Sequence, residues 1–310
     1  MLNTVRSASS TRRVTSLLVA VVLLFGLTGC DYFSDDSPWN TPVSADATYD
    51  FARVSPFMQS PYPAGANFAD FYGHPVYTAA ETDPVWTVYA ANYENWPLYG
   101  DSEGRPDVTV TFKAPLNLDR SGGDDGHLAV IDGDRLIEVY MGWQAPRPNP
   151  ATLVFSAPYV VEQSITGDGL QGGTRAYRGA GIAGQVTLKE VQQGLIPHAL
   201  PLMLPKAVLQ TGWVWPAKGE DIFEYGNPAG GWGARMGEHF AIPLSVDVNT
   251  LGLTTRGAQW AATLRLYGGY NVDQADATSL GSVGLGVTSA DIPTSADFEI
   301  IRALLVPVNP

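Results

Sequence analysis

A short segment in the first half of the chain concentrates residue types that can transfer protons. It reads GDDGHLAVID and contains Asp125 and His127, with His127 at the start of an apolar run. Histidine titrates near neutral pH, and carboxyl or phenol groups can be tuned towards the same range. Both residues are therefore candidate catalytic groups. The alternative is that His127 caps a loop and the acids are solvated turn residues.

The residues that follow predict how this segment folds. An Asp-Gly pair lies between the apolar runs 128–131 and 136–140, and Asp-Gly in that setting is a strong β-hairpin signal. Alternation along the second strand places Glu138 and Tyr140 on one face and the apolar residues between them on the other. We expect the apolar face to enter the core, which leaves Glu138 and Tyr140 facing a groove as further catalytic candidates.

An aromatic and an amide side chain come directly after this hairpin. Trp143 and Gln144 follow it, and a sugar can be held by a tryptophan ring face together with polar groups that bind its hydroxyls. The two are therefore substrate-binding candidates. The cluster supports two interpretations, proton-transfer catalysis and sugar binding.

Isolated polar residues later in the chain could complete a site. His198 follows a predicted short helix and leads into an apolar strand, the usual setting of a half-buried histidine whose bonding is satisfied. Arg175 or Arg235 could neutralise the carboxylate of an acidic sugar. Arg235 could instead pair with Glu238, three residues further on.

Taken in order, these segments resemble a family of exported bacterial proteins. The similarity covers most of residues 105–275. The residues that carry it are Asp125, Gly126, His127, Asp132, Glu138, Trp143, Gln144, Ile196, Pro197, His198, Ala199, Leu200, Met236, Gly237, Tyr267, Gly268, Tyr270 and Asp273.

The resemblance implies a glycan as ligand. Members of that family often occur beside carbohydrate-active modules, although no reaction is established for them. It further implies that His127 and His198 act together, and it adds Tyr270 to the substrate-binding candidates. The chain departs from the family pattern at Met141 and Gly142, where a second aromatic residue is usual, so the aromatic platform is incomplete.

The first thirty residues have the three zones of a secretory signal. Three arginines precede the apolar run 14–25, which is too short to span a bilayer. The segment LTGC, which ends at Cys30, resembles the lipobox of bacterial lipoproteins. We therefore expect a signal peptide over 1–29 and a lipid anchor on Cys30, which places the protein outside the cytoplasm in the cell envelope. Since Cys30 is the only cysteine, lipidation leaves no thiol for disulfide, metal or nucleophile chemistry.

Charge restricts the partners of the remaining chain. Residues 1–29 hold three of the 18 basic residues and none of the 31 acids, so the rest carries a net charge of −16. A surface this acidic argues against nucleic acids and against binding to anionic lipid heads beyond the anchor. We expect a polysaccharide or oligosaccharide as partner.

Patterning predicts a mainly β fold, a β-sandwich or jelly roll with a few short helices. Strand patterns outnumber three helical segments, 187–194, 257–267 and 295–305, and no βαβ alternation appears. Residues 30–52 are acidic and broken by prolines, so they are predicted to form a flexible tether. Residues 53–310 are predicted to form a single β-rich domain.

Cofactor signals are weak. Residues 179–184 fit a dinucleotide-binding glycine pattern, but no buried strand precedes them and no acid follows at the required spacing. Asp119, Asp124 and Asp125 could hold calcium, although acids in turns usually contact only water. No cofactor is predicted beyond this possible calcium ion.

Three functions remain open, and the first is a glycan-degrading enzyme. As a hydrolase, the protein would use Asp125 and Glu138 as its carboxyl pair; as a lyase, it would use His127 and Tyr140 for proton transfer. The net charge disfavours a polyanionic substrate, so hydrolysis is preferred. The alternatives are a non-catalytic module that binds a glycan or envelope component, and a structural lipoprotein. The binding module would use the tryptophans at 143, 213, 215 and 232.

Overall fold

The computed structural model describes residues 32–59, 73–90, 108–122, 125–141, 147–221 and 225–309. The helices are α1 (Leu188–Gln193), α2 (Thr255–Leu266) and α3 (Ser295–Arg302). The strands are β1 (Val76–Thr78), β2 (Val85–Ala90), β3 (Val108–Lys113), β4 (His127–Asp132), β5 (Arg135–Tyr140), β6 (Val154–Ala157), β7 (Tyr159–Ser164), β8 (Leu200–Leu204), β9 (Leu209–Trp213), β10 (Ala234–Met236), β11 (His239–Ala241), β12 (Gly269–Gln274) and β13 (Val306–Pro307). The predicted mainly β class with few helices is confirmed.

Mixed sheets dominate the described residues. Their strand orders are β1-β4-β5-β7, β3-β2-β6, β13-β11-β12-β8 and β10-β9. The first three combine parallel with antiparallel pairs. The strands on either side of Pro158 do not pair with each other. Strand β6 pairs with β2, whereas β7 pairs with β5, so the chain changes sheets at the proline.

The predicted hairpin is formed by β4 and β5. His127 lies opposite Tyr140 and Asp132 lies opposite Arg135. The turn between them places Gly133 at a φ of +67°, with no atom close to where a side chain would begin. Glycine adopts this left-handed conformation without steric cost, which explains the Asp-Gly signal.

Both faces of this hairpin are covered. Leu128, Ile137 and Val139 share a hydrophobic cluster with side chains of the β3-β2-β6 sheet, including Trp86 and Phe112. On the opposite face, Ala129 and Leu136 belong to the larger core that contains helices α2 and α3. The predicted apolar face is therefore correct, but the second face is also covered by protein.

Capping residues set the helix boundaries. Helix α1 begins after Thr187, whose side chain accepts from the Glu190 amide while the Glu190 carboxylate accepts from the Thr187 amide. It ends at Gly194, which has a φ of +75°. Helix α3 begins with the same reciprocal arrangement between Thr294 and Asp297. Such capping boxes satisfy amides that lack partners inside the helix, so short segments become helical.

The predicted flexible tether over 30–52 is wrong for the residues that the structure describes. Trp39 is fully buried, its ring contacts Tyr177 and Tyr270 edge-on, and its carbonyl accepts a 2.8 Å bond from the Ala199 amide. Further along, the Val43 amide donates to Leu266. Acidic, proline-broken composition suggested a free linker, but one large aromatic ring anchors the segment in the core.

The predicted signal peptide lies outside the described residues, and so does Cys30. The lipid anchor and the envelope location therefore stay predictions. None of the helices within the described ranges combines the length and apolar character needed to cross a bilayer.

If the segment 32–59 is part of the fold, truncating Trp39 must destabilise the whole chain. We expect Trp39→Ala to lower the free energy of unfolding by about 3–5 kcal/mol, because it removes a fully buried aromatic side chain. Urea denaturation measures this. Phe51→Ala, in the same segment but at a side chain that is 68 % exposed, is the matched control and should change it little. Equal, small effects of both variants would contradict the packed segment.

Candidate functional site

The hairpin carries three of the predicted residues to one face. His127 and Tyr140 are cross-strand neighbours with ring centroids 5.4 Å apart, and Glu138 lies opposite the small Ala129. This shared face is as predicted. It is not an open groove at Glu138, however, because that side chain is fully buried.

A second histidine, His74, completes the floor of the cluster. Its ring packs on that of His127 with centroids 4.0 Å apart, and its Nε2 lies 3.1 Å from the Thr174 hydroxyl. The backbone of His74 exchanges two hydrogen bonds with the side chain of Gln185. A side chain at Gly181 would collide with His74, so the close approach of this loop requires glycine.

Arg175 lies at the centre of the cluster and is only 2 % exposed. Its Nε donates to the Gly181 carbonyl at 2.9 Å and one terminal nitrogen donates to the Ser282 hydroxyl at 3.1 Å. The same terminal nitrogen lies 3.4 Å from His74 Nδ1. Because a guanidinium only donates, Nδ1 of His74 must accept, which leaves the proton on Nε2 to be donated to Thr174.

Three acids lie at the partly exposed side of the cluster. Asp273 is 3.5 Å from a terminal nitrogen of Arg175, and Asp125 accepts a 3.3 Å bond from the Tyr140 hydroxyl. Burial and the charges of Asp125 and Glu220 raise the pKa of Asp221 to about 7. Burial and the charge of Asp221 raise the pKa of Asp273 well above its usual value, against the attraction of Arg175.

The acids of this cluster affect one another's ionisation. The charge of Asp221 disfavours ionisation of Asp273, and the charges of Asp125 and Glu220 disfavour ionisation of Asp221. Carboxyl groups that repel each other in this way lose their protons in separate steps. Asp221 and Asp273 are therefore candidates for proton transfer.

His127 does not titrate near neutral pH, which corrects the sequence prediction. Burial and the charge of Arg175 lower its pKa to about 3. Burial, His127 and Arg175 also lower the pKa of His74 well below its usual value. Both rings are therefore neutral at pH 7, because charging them would place a cation beside a buried guanidinium.

Glu138 shows the opposite shift. Burial raises its pKa to about 7, although the backbone amides of Gly181 and Ile182 and the charge of Arg175 act against this. One carboxyl oxygen accepts from the Ile182 amide at 2.9 Å. Since its side chain is fully buried, Glu138 cannot contact a substrate. It can only position neighbouring groups, such as the loop at Ile182.

His198 has a structural role. Its Nε2 lies 3.1 Å from the Glu190 carboxylate and its Nδ1 lies 2.9 Å from the Ala199 carbonyl. Burial raises the pKa of Glu190, but His198 and Thr187 more than offset this and lower it overall. The catalytic role together with His127 that the resemblance implied is not supported, because His198 is fully buried beside Glu190, as expected of a structural histidine. The ring that packs on His127 is that of His74.

The remaining predicted residues lie elsewhere. Arg235 has an exposed side chain on β10, and its amide donates to Glu238, whose carboxylate pairs with Arg53. Tyr270 stacks on His239 with ring centroids 4.4 Å apart. Trp143 and Gln144 lie outside the described residues.

No three His, Cys, Asp or Glu side chains within the described ranges are placed to hold a metal ion. The acids proposed for calcium have other partners. Asp119 pairs with Arg147 and Asp125 accepts from Tyr140, while Asp124 lies outside those ranges. The possible calcium site is therefore not supported by the two acids that are described.

Comparison with protein-family models, curated proteins and solved structures found no match to this chain. The chemistry of the cluster must therefore carry any functional assignment. Its main groups are Asp125, Tyr140, Arg175, Asp221 and Asp273, of which the sequence singled out the first three as site residues.

Sequence reasoning missed His74 and Asp221 as site residues. His74 precedes β1, which reaches the hairpin only through parallel pairing with β4, about fifty residues away. Asp221 follows Glu220 in a loop with no periodic pattern. The rarity of histidine, four in the chain, was the one available signal for His74.

The raised pKa of Glu138 predicts a pH-dependent difference in stability. The carboxyl ionises at its usual 4.5 when unfolded and at about 7 when folded. Between these values the folded chain binds more protons, so this contribution to stability falls as pH rises. Between pH 4.5 and 7.5, the free energy of unfolding of Glu138→Gln should therefore rise by about 3 kcal/mol relative to that of the unmodified protein.

Urea denaturation at three pH values measures this difference. The comparison between variant and parent matters, because the lowered pKa values of His74 and His127 change the parent's stability in the opposite direction. Glu162→Gln, on the neighbouring strand β7, is the control: its pKa is lowered by Arg135, so its trend should be weak and of opposite sign. A difference for Glu138→Gln that is constant with pH would show that this carboxyl is not perturbed.

Proposed function

We propose that the protein is an exported, lipid-anchored hydrolase that cleaves a glycan in the cell envelope, with Asp221 and Asp273 as its acid–base pair. The observation that supports this is the pair of neighbouring carboxyl groups with raised pKa values beside Arg175. We further propose that the sheets β1-β4-β5-β7 and β3-β2-β6, which share a hydrophobic cluster, form a β-sandwich.

Glycoside hydrolysis needs this combination of groups. One carboxylic acid protonates the leaving oxygen, and a second, ionised carboxylate acts as base or nucleophile. Asp221 and Asp273 are only half-buried, so they can meet a substrate. They replace the pair Asp125 and Glu138 that the sequence suggested, because Glu138 is enclosed in the core.

The neighbours of the pair have supporting roles. Arg175 lies within 3.5 Å of Asp273 and favours its ionised form. Burial and Asp125 raise the pKa of Tyr140, so its hydroxyl stays protonated and orients Asp125 by donating to it. Asp125 in turn repels negative charge on Asp221.

Two observations favour hydrolysis over elimination. A lyase would need His127 or Tyr140 as its base. The pKa of His127 is about 3 and that of Tyr140 is raised, so the histidine is too weakly basic and the phenol too rarely ionised at neutral pH. A non-catalytic glycan-binding module is the second candidate, and the exposed ring of Trp215 favours it.

Product release by the full chain from a panel of neutral polysaccharides, with uronic-acid polysaccharides added for comparison, tests the proposal. New reducing ends report cleavage by either route, and ultraviolet absorbance of unsaturated sugars reports elimination. Asp221→Asn and Asp273→Asn should each lower the hydrolytic rate by about 10²–10⁴-fold, since each removes an acid–base group. The parent's rate should pass through a maximum as pH is varied.

Asp276→Asn is the matched control, since Asp276 is an exposed acid three residues beyond Asp273. It should retain the parent's rate. The catalytic assignment is rejected if no polysaccharide yields product, or if hydrolysis is unchanged in Asp221→Asn and Asp273→Asn. The glycan-binding module is then the preferred function. New reducing ends accompanied by ultraviolet absorbance would identify a lyase instead.

A further inference from the structure

A pocket of about 500 Å³ lies apart from the acid cluster. Its walls come from residues 38–48, from Trp215, from His239 and Tyr270, and from the chain end at 308–309. Its volume is within the range of small-ligand sites. Strand β12 connects the two regions, with Tyr270 near one end and Asp273 near the other.

The floor of the pocket is rigid. Tyr270 and His239 are cross-strand partners whose rings stack at an angle of 18°, and the edge of Trp39 packs against Tyr270. His239 Nε2 is 2.9 Å from the Tyr267 carbonyl and must donate to it. Burial lowers the pKa of His239, so at neutral pH the ring is uncharged and its Nδ1 can only accept a hydrogen bond.

The wall at Trp215 offers a free aromatic face. This side chain is 68 % exposed, and the turn that holds it is fixed by bonds from the Val214 amide to Met236 and from the Ala217 amide to Val214. A backbone that is already positioned loses little conformational freedom when a ligand stacks on the side chain that it carries. Trp215 is therefore available for stacking without rearrangement of its backbone.

The opposite wall carries small polar groups. Thr48 and Asn309 are joined by two 2.9 Å hydrogen bonds, one through the backbone and one between side chains. Asp46, held by the Ser44 hydroxyl, contributes the one charged side chain among the lining residues. None of the lining residues that the structure describes is Lys or Arg, so this lining does not suit an anion.

We propose that this pocket binds a neutral sugar ring, which stacks on Trp215 and donates hydroxyl hydrogen bonds to Asp46 and His239. An aromatic face for the apolar side of the ring, acceptors for its hydroxyls and the lack of basic side chains among the described lining residues match that ligand better than an anionic one. The choice of a glycan rests on the proposed function, and the pocket would hold a chain outside the reacting bond.

Binding can be measured independently of hydrolysis. We would use the full chain carrying Asp221→Asn and titrate it by calorimetry with cellohexaose, maltohexaose, xylohexaose and mannohexaose, and with hexagalacturonate as the charged comparison. One neutral hexasaccharide should bind, and hexagalacturonate should not. Adding Trp215→Ala should weaken that binding about tenfold or more, because the stacking face is lost. Asp46→Asn, in an exposed turn, should weaken it to a smaller extent.

Trp213→Ala is the matched control. Trp213 is 52 % exposed and lies two residues away, but it does not line the pocket. Its removal should leave binding unchanged. The proposal is overturned if no neutral hexasaccharide binds, if hexagalacturonate binds equally well, if Trp215→Ala binds like its parent, or if Trp213→Ala weakens binding as much as Trp215→Ala.

The two proposals fail separately. Binding that depends on Trp215 in a protein without hydrolytic activity would support the pocket and reject the enzyme. Hydrolysis that depends on Asp221, without Trp215-dependent binding, would support the enzyme and reject the pocket.

Discussion

The buried guanidinium of Arg175 is the constraint on which the rest of the polar cluster depends. An isolated charge inside a protein is strongly unfavourable unless hydrogen bonds and opposite charges replace the water that it loses. Arg175 finds these partners on separate parts of the chain: the Gly181 carbonyl, the Ser282 hydroxyl, His74 and Asp273. One cation thus contacts the loop at Gly181, strand β12 at Asp273 and the segment before β1 at His74.

Burial has the largest effect on the protonation of its neighbours, and the same charge modifies that effect. Arg175 further lowers the pKa of His74 and His127, since a second cation there would be repelled, and it moderates the raised pKa of Asp273 and Glu138. Burial disfavours the charged form of all four groups. It therefore lowers the pKa of the two histidines and raises the pKa of the two carboxyl groups. The result is a cluster whose histidines are neutral at pH 7 and whose carboxyl groups Asp273 and Glu138 have raised pKa values.

The hairpin β4–β5 connects this cluster to the hydrophobic framework. One face packs against the β3-β2-β6 sheet and the other carries His127, Glu138 and Tyr140 towards Arg175. A shift of β5 by one residue would turn Glu138 and Tyr140 to the face that packs in the apolar cluster. Packing on both faces therefore fixes the geometry of the site, and the packed segment around Trp39 similarly supports the floor of the second pocket.

The sequence by itself determined features that depend on neighbours within a few positions. The Asp-Gly turn at Gly133, the capping box at Thr187, and the alternation that places Glu138 with Tyr140 are of this kind, because short-range sterics and hydrogen bonds specify them. Only the tertiary structure decided that His74, Arg175, Asp221 and Asp273 belong to one cluster. It also decided that the residues around Trp39 pack against the core instead of forming a flexible linker. Those outcomes, and the direction of every shift in pKa, depend on burial by residues far away in the chain. Local composition does not predict which residues will be buried in this way.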